Sequence, residues 1–277
     1  MPELPETETI ARDLNAEVAG ARIAAVHVTR PDVLREADAA ELERRTVGAT
    51  IGAVWRRAKL VVLELSTGDR LVVQPRFTGA LLIDSAAHPL PHAERRYSTV
   101  AFRLDDARVV HYRDVRRLGT VALMSPRRWE SYSSGLGVEP LDPAFSSEHL
   151  SALFRGSRRA VKSVLMDQRA VVGVGNIYAN EALWRAGVDP SREARSLAVD
   201  ERARLRDAIV GVLEESIALR GTSFRDYRDA RGEKGGFVER LAVYGRAGLP
   251  CPACEARLVG THEIDGRSTV FCAWCQR

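Results

Sequence analysis

All four cysteines of the chain fall in two Cys-x-x-Cys pairs near its C-terminus, Cys251–Cys254 and Cys272–Cys275, with seventeen residues between the pairs. Each pair can grip one ion from a tight turn, and two such pairs supply the donor set of a tetrahedral zinc site. Disulfides are the competing use of these thiols. They suit an oxidising compartment, and this N-terminus lacks a secretory signal. Four thiolates leave no open coordination position, so a single structural Zn2+ is expected. The stretch between the pairs, with Asp265-Gly266 at its middle, is long enough for a β-hairpin. His262, a lone imidazole within it, reads as a surface residue rather than a ligand.

The remainder of the 277 residues, 45% hydrophobic and 28% charged, is enough for two folded domains. No apolar run approaches the ~20 residues that a membrane helix needs. The start, MPELPETE, is acidic and has no apolar signal segment. A membrane or exported protein is therefore not expected, and a cytoplasmic one is. The net charge of +4 hides an asymmetry: the first fifty residues carry 6 basic and 10 acidic groups, the rest 35 and 27. Such a distribution fits a polyanionic partner, although a generally basic proteome gives the same figure. Only Lys59, Lys162 and Lys234 of the 41 basic residues are lysines. A compact ammonium does what a guanidinium cannot, so these three are candidates for specific roles.

Residues 3–19 read as a helix, with Ile10, Leu14 and Val18 at i+4 spacing and Glu3, Glu6 and Glu8 at its positive end. Seven short β-branched segments follow between 21 and 124, which predicts an antiparallel sandwich or barrel. Residues 126–145, rich in Gly, Pro and Ser, read as a linker. Helical spacing returns over 146–155, 158–167, 176–186 and 198–219. The organisation expected is a sandwich domain over 1–125, a linker over 126–145, a helical domain over 146–236 and a zinc segment over 237–277.

Two local patterns suggest chemistry. Gly173 and Gly175 sit in a turn between two helices, where the backbone can approach a ligand and Asn176 can cap the following helix, whose free N–H groups suit a phosphate. An ordinary capped helical hairpin has the same pattern, but Arg158, Arg159 and Lys162 just before it favour nucleic acid. At the N-terminus, removal of Met1 turns Pro2 into a free secondary amine able to attack a sugar C1′ and form an iminium. Glu3 and Glu6, within one helical turn, can move protons there. Taken alone, a helix-starting proline with dipole-matched glutamates is the better explanation of these residues.

Together the motifs are more specific. PELPETE, RRAKL around Lys59, LGVEPL, KSVLMDQ, VGVGNIYANE, GTSFRDYRDARGEKGGF, VYGR and the terminal GRSTVFCxxCQR resemble, in order and along essentially the whole chain, the formamidopyrimidine-DNA glycosylase family. PELPE rather than PEGPE favours this branch over the endonuclease VIII relatives. The resemblance implies an α+β protein: an N-terminal antiparallel β-sandwich with an N-terminal helix, a C-terminal helix-two-turn-helix domain and a β-hairpin zinc finger. It implies a monomeric DNA glycosylase and AP lyase that acts on oxidised purines in damaged double-stranded DNA. Pro2 would be the nucleophile and Glu3 the proton donor, with Glu6 facing the lesion and Lys59 on flanking phosphates. Lys162, Asn176, Gly173, Gly175 and the hairpin's Arg267 would hold the DNA backbone, and the segment around Lys234 would cover the base pocket. The target nucleotide must leave the stack, because C1′ is shielded in a duplex.

Two positions depart from the family pattern. Phe77 stands where a methionine usually fills the void left by the flipped base, and Leu118 where a phenylalanine wedges beside the orphan base, while Arg116 matches the void-filling arginine. A plug and a wedge are both still present, with their bulks exchanged. The alternatives are a relative of the same fold that prefers oxidised pyrimidines and a lesion-binding relative without catalysis.

Overall fold

The computed structural model describes residues 2–277, so the reading of Met1 lies outside the described residues. Helix α1 (Leu4–Val18) starts with Pro5 in its first turn, and Ile10, Leu14 and Val18 are fully buried. The strands that follow are β1 (Ile23–Val28), the two-residue β2 (Leu34–Arg35), β3 (Ile51–Arg57), β4 (Leu60–Leu65), β5 (Arg70–Gln74), β6 (Gly79–Asp84), β7 (Ser98–Leu104), β8 (Val109–Asp114) and β9 (Thr120–Met124). Two short helices interrupt them, α2 (Ala39–Thr46) and α3 (His92–Arg95).

These strands form a four-stranded antiparallel sheet in the order β1-β7-β8-β6 and a five-stranded sheet in the order β2-β9-β5-β4-β3, antiparallel except where β2 meets β9. Alternate residues of both sheets, among them Val61, Leu63, Leu71 and Val73 of one and Val100, Phe102, Val110 and Tyr112 of the other, share one apolar core. The sandwich is thus the one that the β-branched segments predict. The sequence reading missed β6: its GALLID run is continuously apolar, without the alternation that marks a half-buried strand. The supposed linker also begins as a helix, α4 (Pro126–Ser133), in which the Ser125 hydroxyl accepts from Arg128 N–H and Pro126 occupies the first position.

The second half is helical: α5 (Ser147–Phe154), α6 (Val161–Met166), α7 (Asn176–Ala186) and α8 (Val199–Ala218). A hairpin of β10 (Val259–Thr261) and β11 (Thr269–Phe271) follows, with Asp265 and Gly266 both at positive φ between them.

The chain divides into two compact units, one running to Ser134 and taking in Leu219–Val238, the other comprising Gly135–Ala218 and Glu239–Arg277. Residues 219–236 therefore group with the sandwich and not with the helical domain to which the sequence reading assigned them. Specific bonds account for this: Ile83 N–H donates to the Ala230 carbonyl at 2.9 Å, and Arg220 and Arg231 pair with Asp13 and Glu17 of α1.

Candidate active site and nucleic-acid interface

In the first unit, Pro2, Glu3 and Glu6 are all buried at the start of α1. Glu6 accepts the Glu3 backbone N–H on Oε2 at 2.8 Å and the Thr222 backbone N–H on Oε1 at 2.7 Å. Two charge-assisted bonds on one carboxylate are among the stronger local ties a fold can make. They join the N-terminus to the 219–238 segment. Gly221 is needed at this junction, because its φ is +85° and a Cβ there would lie 3.0 Å from the Glu6 side chain. The Tyr227 hydroxyl reaches the Arg220 carbonyl at 3.2 Å, and burial, followed by the nearby Glu6 charge, pushes that phenol above its ordinary range.

The same segment is held at its base by charge. Arg220 donates to Asp13 and to the fully buried Asp229. Burial alone would lower the Arg220 pKa, but its bonds to Asp229 and Asp13 hold it above the usual value. Asp229 in turn accepts from the backbone N–H groups of Arg231 and Glu233 at 3.0 and 2.9 Å, which shapes the loop around Lys234.

Lys59 lies in the two-residue turn between β3 and β4, after Ala58 at positive φ, and is half-buried. Arg56 positions this turn: its Nε donates to Glu8 at 2.8 Å and its Nη1 to the Ala58 carbonyl at 3.1 Å. Burial would raise the Glu8 pKa, but Arg56 and Arg12 hold it below the ordinary carboxylate range. The ion pair fastens α1, and with it Pro2 and Glu3, to the hairpin that carries Lys59.

Phe77 and Leu118 are 47% and 41% exposed, unusual for large apolar side chains, and the Arg116 guanidinium lies 5.4 Å from the Phe77 ring centre. Their two loops are locked together from below. Buried Asp114 accepts from the Thr78 hydroxyl at 2.5 Å and from Gly119 N–H at 2.8 Å, and Thr78 accepts from Arg116 N–H at 3.0 Å. The structure therefore brings Phe77 and Arg116 together at the surface, with exposed Leu118 two residues further along the Arg116 loop. Asp114 and Thr78, which hold it, were not singled out from sequence: an acid at a strand end and a threonine in a loop carry no motif.

In the second unit the four cysteine sulfurs lie within 4.8 Å of one another. The Cys251–Cys275 and Cys254–Cys272 sulfurs are 3.9 and 3.4 Å apart. Four sulfurs each about 2.3 Å from a tetrahedral centre would be about 3.8 Å apart, so the cluster fits a metal ion held by thiolates.

Lys162 departs from its expected role. It is fully buried, and its Nζ donates to the Ser268 carbonyl at 3.0 Å and to Thr269 Oγ1 at 2.7 Å, so it points at the hairpin loop and not at solvent. Asn176 does not cap α7 with its side chain; Gly175 is the capping residue, and the Asn176 amide donates to the same Ser268 carbonyl at 2.9 Å. Asn180 accepts from Val270 N–H at 2.7 Å. Gly173, at φ +78°, spends its N–H on Gln168 at 2.9 Å. Lys162, Asn176 and Asn180 together fix the residues that follow Arg267, whose side chain is exposed. Glu181 was also missed: fully buried, it accepts three successive backbone N–H groups, of Ala242, Val243 and Tyr244, at 2.8–3.0 Å.

Residues 1–121 match the family model for the Formamidopyrimidine-DNA glycosylase N-terminal domain, and residues 136–228 that for the Formamidopyrimidine-DNA glycosylase H2TH domain. The chain belongs to the formamidopyrimidine-DNA glycosylase family. A formamidopyrimidine-DNA glycosylase of Moorella thermoacetica is 45% identical over 257 residues, 92% of each chain. The crystal structure of the MutM (Fpg) protein from Thermus thermophilus aligns with a TM-score of 0.85 at 36% identity, covering 99% of this chain and 98% of that one. The Lactococcus lactis Fpg in complex with DNA containing an abasic site aligns with a TM-score of 0.89 at 30% identity, covering 99% of both chains.

Proposed function

We propose that this protein excises oxidised purines, 8-oxoguanine and formamidopyrimidines, from duplex DNA and then cleaves the strand at the resulting abasic site, as a step of base excision repair. The observation that carries the reading is the docking of the Pro2-Glu3 terminus, through Glu6, to the 219–238 segment. That arrangement supports a reading in which the Pro2 amine, the Glu3 carboxyl and the 219–238 segment act on one nucleotide. Once Met1 is removed, the Pro2 nitrogen lone pair attacks C1′ of the extruded nucleotide. The C1′–N bond to the damaged base breaks, the departing base takes up the proton lost from the Pro2 nitrogen, and Glu3 protonates the sugar ring oxygen as the ring opens to an iminium. The iminium acidifies the C2′ proton. Its removal expels the 3′ phosphate by β-elimination, and a second, δ-elimination expels the 5′ phosphate. Lys59, on its hairpin turn, steadies the adjoining phosphates.

Phe77, Arg116 and Leu118 enter the space that the nucleotide leaves. Arg267 and the start of α7 hold the backbone, with Lys162 acting through the loop it anchors rather than on phosphate. Cys251, Cys254, Cys272 and Cys275 hold one Zn2+, which supplies a structural cross-link and no catalytic step. No helix of the described residues is long and apolar enough to cross a membrane, and a monomer working in the cytoplasm on chromosomal DNA is the state proposed.

Borohydride trapping tests the mechanism. Protein shown by intact mass to lack Met1 is mixed with duplexes carrying 8-oxoguanine opposite cytosine, thymine glycol, or no lesion. A covalent adduct chiefly with 8-oxoguanine is expected, and Pro2→Gly should trap far less. A thymine glycol preference would keep the chemistry and change the substrate; no adduct with either lesion would leave a non-catalytic lesion binder.

A further inference from the structure

The outer face of the four-stranded sheet carries a basic trough that none of the roles above uses. Its floor is a row across three strands: His27 of β1 is paired with Ala101 of β7, which is paired with His111 of β8. Neighbouring strands are ~4.8 Å apart, so the two imidazoles flank a shallow channel roughly 10 Å across. Exposed Arg30, Arg95, Arg96 and Arg117 stand around it, and the concavity encloses about 1030 Å³. Its one lining carboxylate, Asp114, is buried and already committed to Thr78 and Gly119.

Two of the four guanidiniums are partly neutralised, Arg95 by Asp84 at 3.1 Å and Arg117 by Asp32 at 3.0 Å. The other two are not. Arg96 stacks 4.6 Å from the Tyr97 ring centre and donates to the Tyr97 hydroxyl, and Arg30 donates to the Thr29 carbonyl. Among the described residues neither makes an ion pair. Both are therefore cations held in place by neutral partners, an arrangement that leaves their charge ready for an anion.

The trough is continuous with the wedge. Val115 and Arg117 line it, and they flank Arg116 and precede Leu118 on the same loop. We propose that the trough is a backbone track for the DNA strand opposite the lesion, in which Arg30 and Arg96 hold phosphates beyond the orphan base. The proposal rests on the lesion-glycosylase reading and extends its substrate contact to undamaged flanking DNA.

The test uses Arg30→Gln/Arg96→Gln in the full-length protein, with an unchanged thermal midpoint as the folding control. Binding is followed by fluorescence anisotropy on a duplex with a central tetrahydrofuran abasic analogue, and on duplexes whose opposite strand alone is recessed on one side or the other. Wild-type protein should lose about tenfold in affinity when one of the two recessions removes the track's phosphates, and the variant should be indifferent to it. On the full duplex the log–log salt slope should fall by up to ~1.8 in the variant, ~0.9 for each phosphate that is no longer neutralised. Equal salt slopes, or wild-type binding insensitive to both recessions, overturn the track while leaving the glycosylase reading intact. Failure of the wild type to prefer the lesion duplex over an undamaged one overturns both.

Discussion

The Glu6 carboxylate accepts the Thr222 backbone N–H at 2.7 Å, a contact between residues 216 positions apart that ties the start of α1 to the segment 219–238. Because the other oxygen of the same carboxylate accepts from Glu3 at 2.8 Å, neither end can move without loosening the other. The position of this segment and that of the N-terminus are thereby coupled through one side chain. Glu6→Gln keeps the shape but replaces one acceptor with a donor. A bond to an ionised group contributes about 1.5–3 kcal/mol, so excision of 8-oxoguanine should slow by roughly 10–150-fold. Cleavage of a preformed abasic site, which has no base to cover, should slow much less. Single-turnover assays on both substrates distinguish the two; equal losses would make Glu6 a part of the chemistry itself.

Lys162 and Arg267 should separate cleanly. Arg267→Ala removes an exposed cation and should reduce the salt slope of DNA binding by ~0.9. Lys162→Met removes a buried ammonium that bonds Ser268 and Thr269, so it should weaken binding about tenfold with the slope unchanged. A reduced slope for Lys162→Met would restore the direct phosphate role.

The exposed pair Phe77 and Leu118 should matter for binding far more than for folding. On the proposed role each alanine substitution removes an apolar side chain that meets the bases, and for the Phe77 ring stacking on a base contributes ~1–3 kcal/mol. Affinity for an abasic-analogue duplex should therefore fall roughly 5–150-fold for Phe77→Ala and less for Leu118→Ala, with little change in the melting temperature. A melting temperature lowered by many degrees would mean that these side chains belong to the core.

Acid should unfasten α1. The Glu8 pKa lies below its ordinary value despite burial, held there by Arg56 and Arg12. A carboxylate with a depressed native pKa binds protons more readily when unfolded. Its contribution is complete above the unfolded value of ~4.3 and is lost as pH falls through the lower native one. Glu8→Gln should lower the neutral-pH melting temperature by roughly 2–4 °C for each kcal/mol removed, and should flatten its decline below about pH 4.3. An unaltered acid limb would show that the pair is energetically neutral.

One equivalent of zinc per chain is expected on elemental analysis. Its removal by a chelator should abolish lesion binding, because the hairpin that carries Arg267 is closed by the cysteine cluster. Retained binding by metal-free protein would confine the cysteines to a passive role.

Much of this molecule could be read from neighbours in sequence. Paired cysteines at metal-ligand spacing, the i+4 ladder of α1, the alternating strands and the Asp265-Gly266 turn are local patterns, and each formed where the pattern placed it. Features without periodicity escaped: the uniformly apolar β6 and the helix α4 inside a Gly- and Ser-rich stretch. Composition masked the second, although Ser125-Pro126 is itself a helix-start signal.

What residue types and spacing determined was the inventory: which groups are nucleophilic, acidic, basic or metal-binding, and roughly which element carries each. Which groups meet was decided only by tertiary structure. Glu6 reaches Thr222, Asp114 locks two loops through Thr78, and Lys162 is turned inward onto Ser268, and each of these pairings joins residues 36 or more positions apart in the chain. The reason is physical. Local pattern sets backbone conformation within a few residues, whereas a buried charge must find its hydrogen-bond partners wherever the packed core brings them.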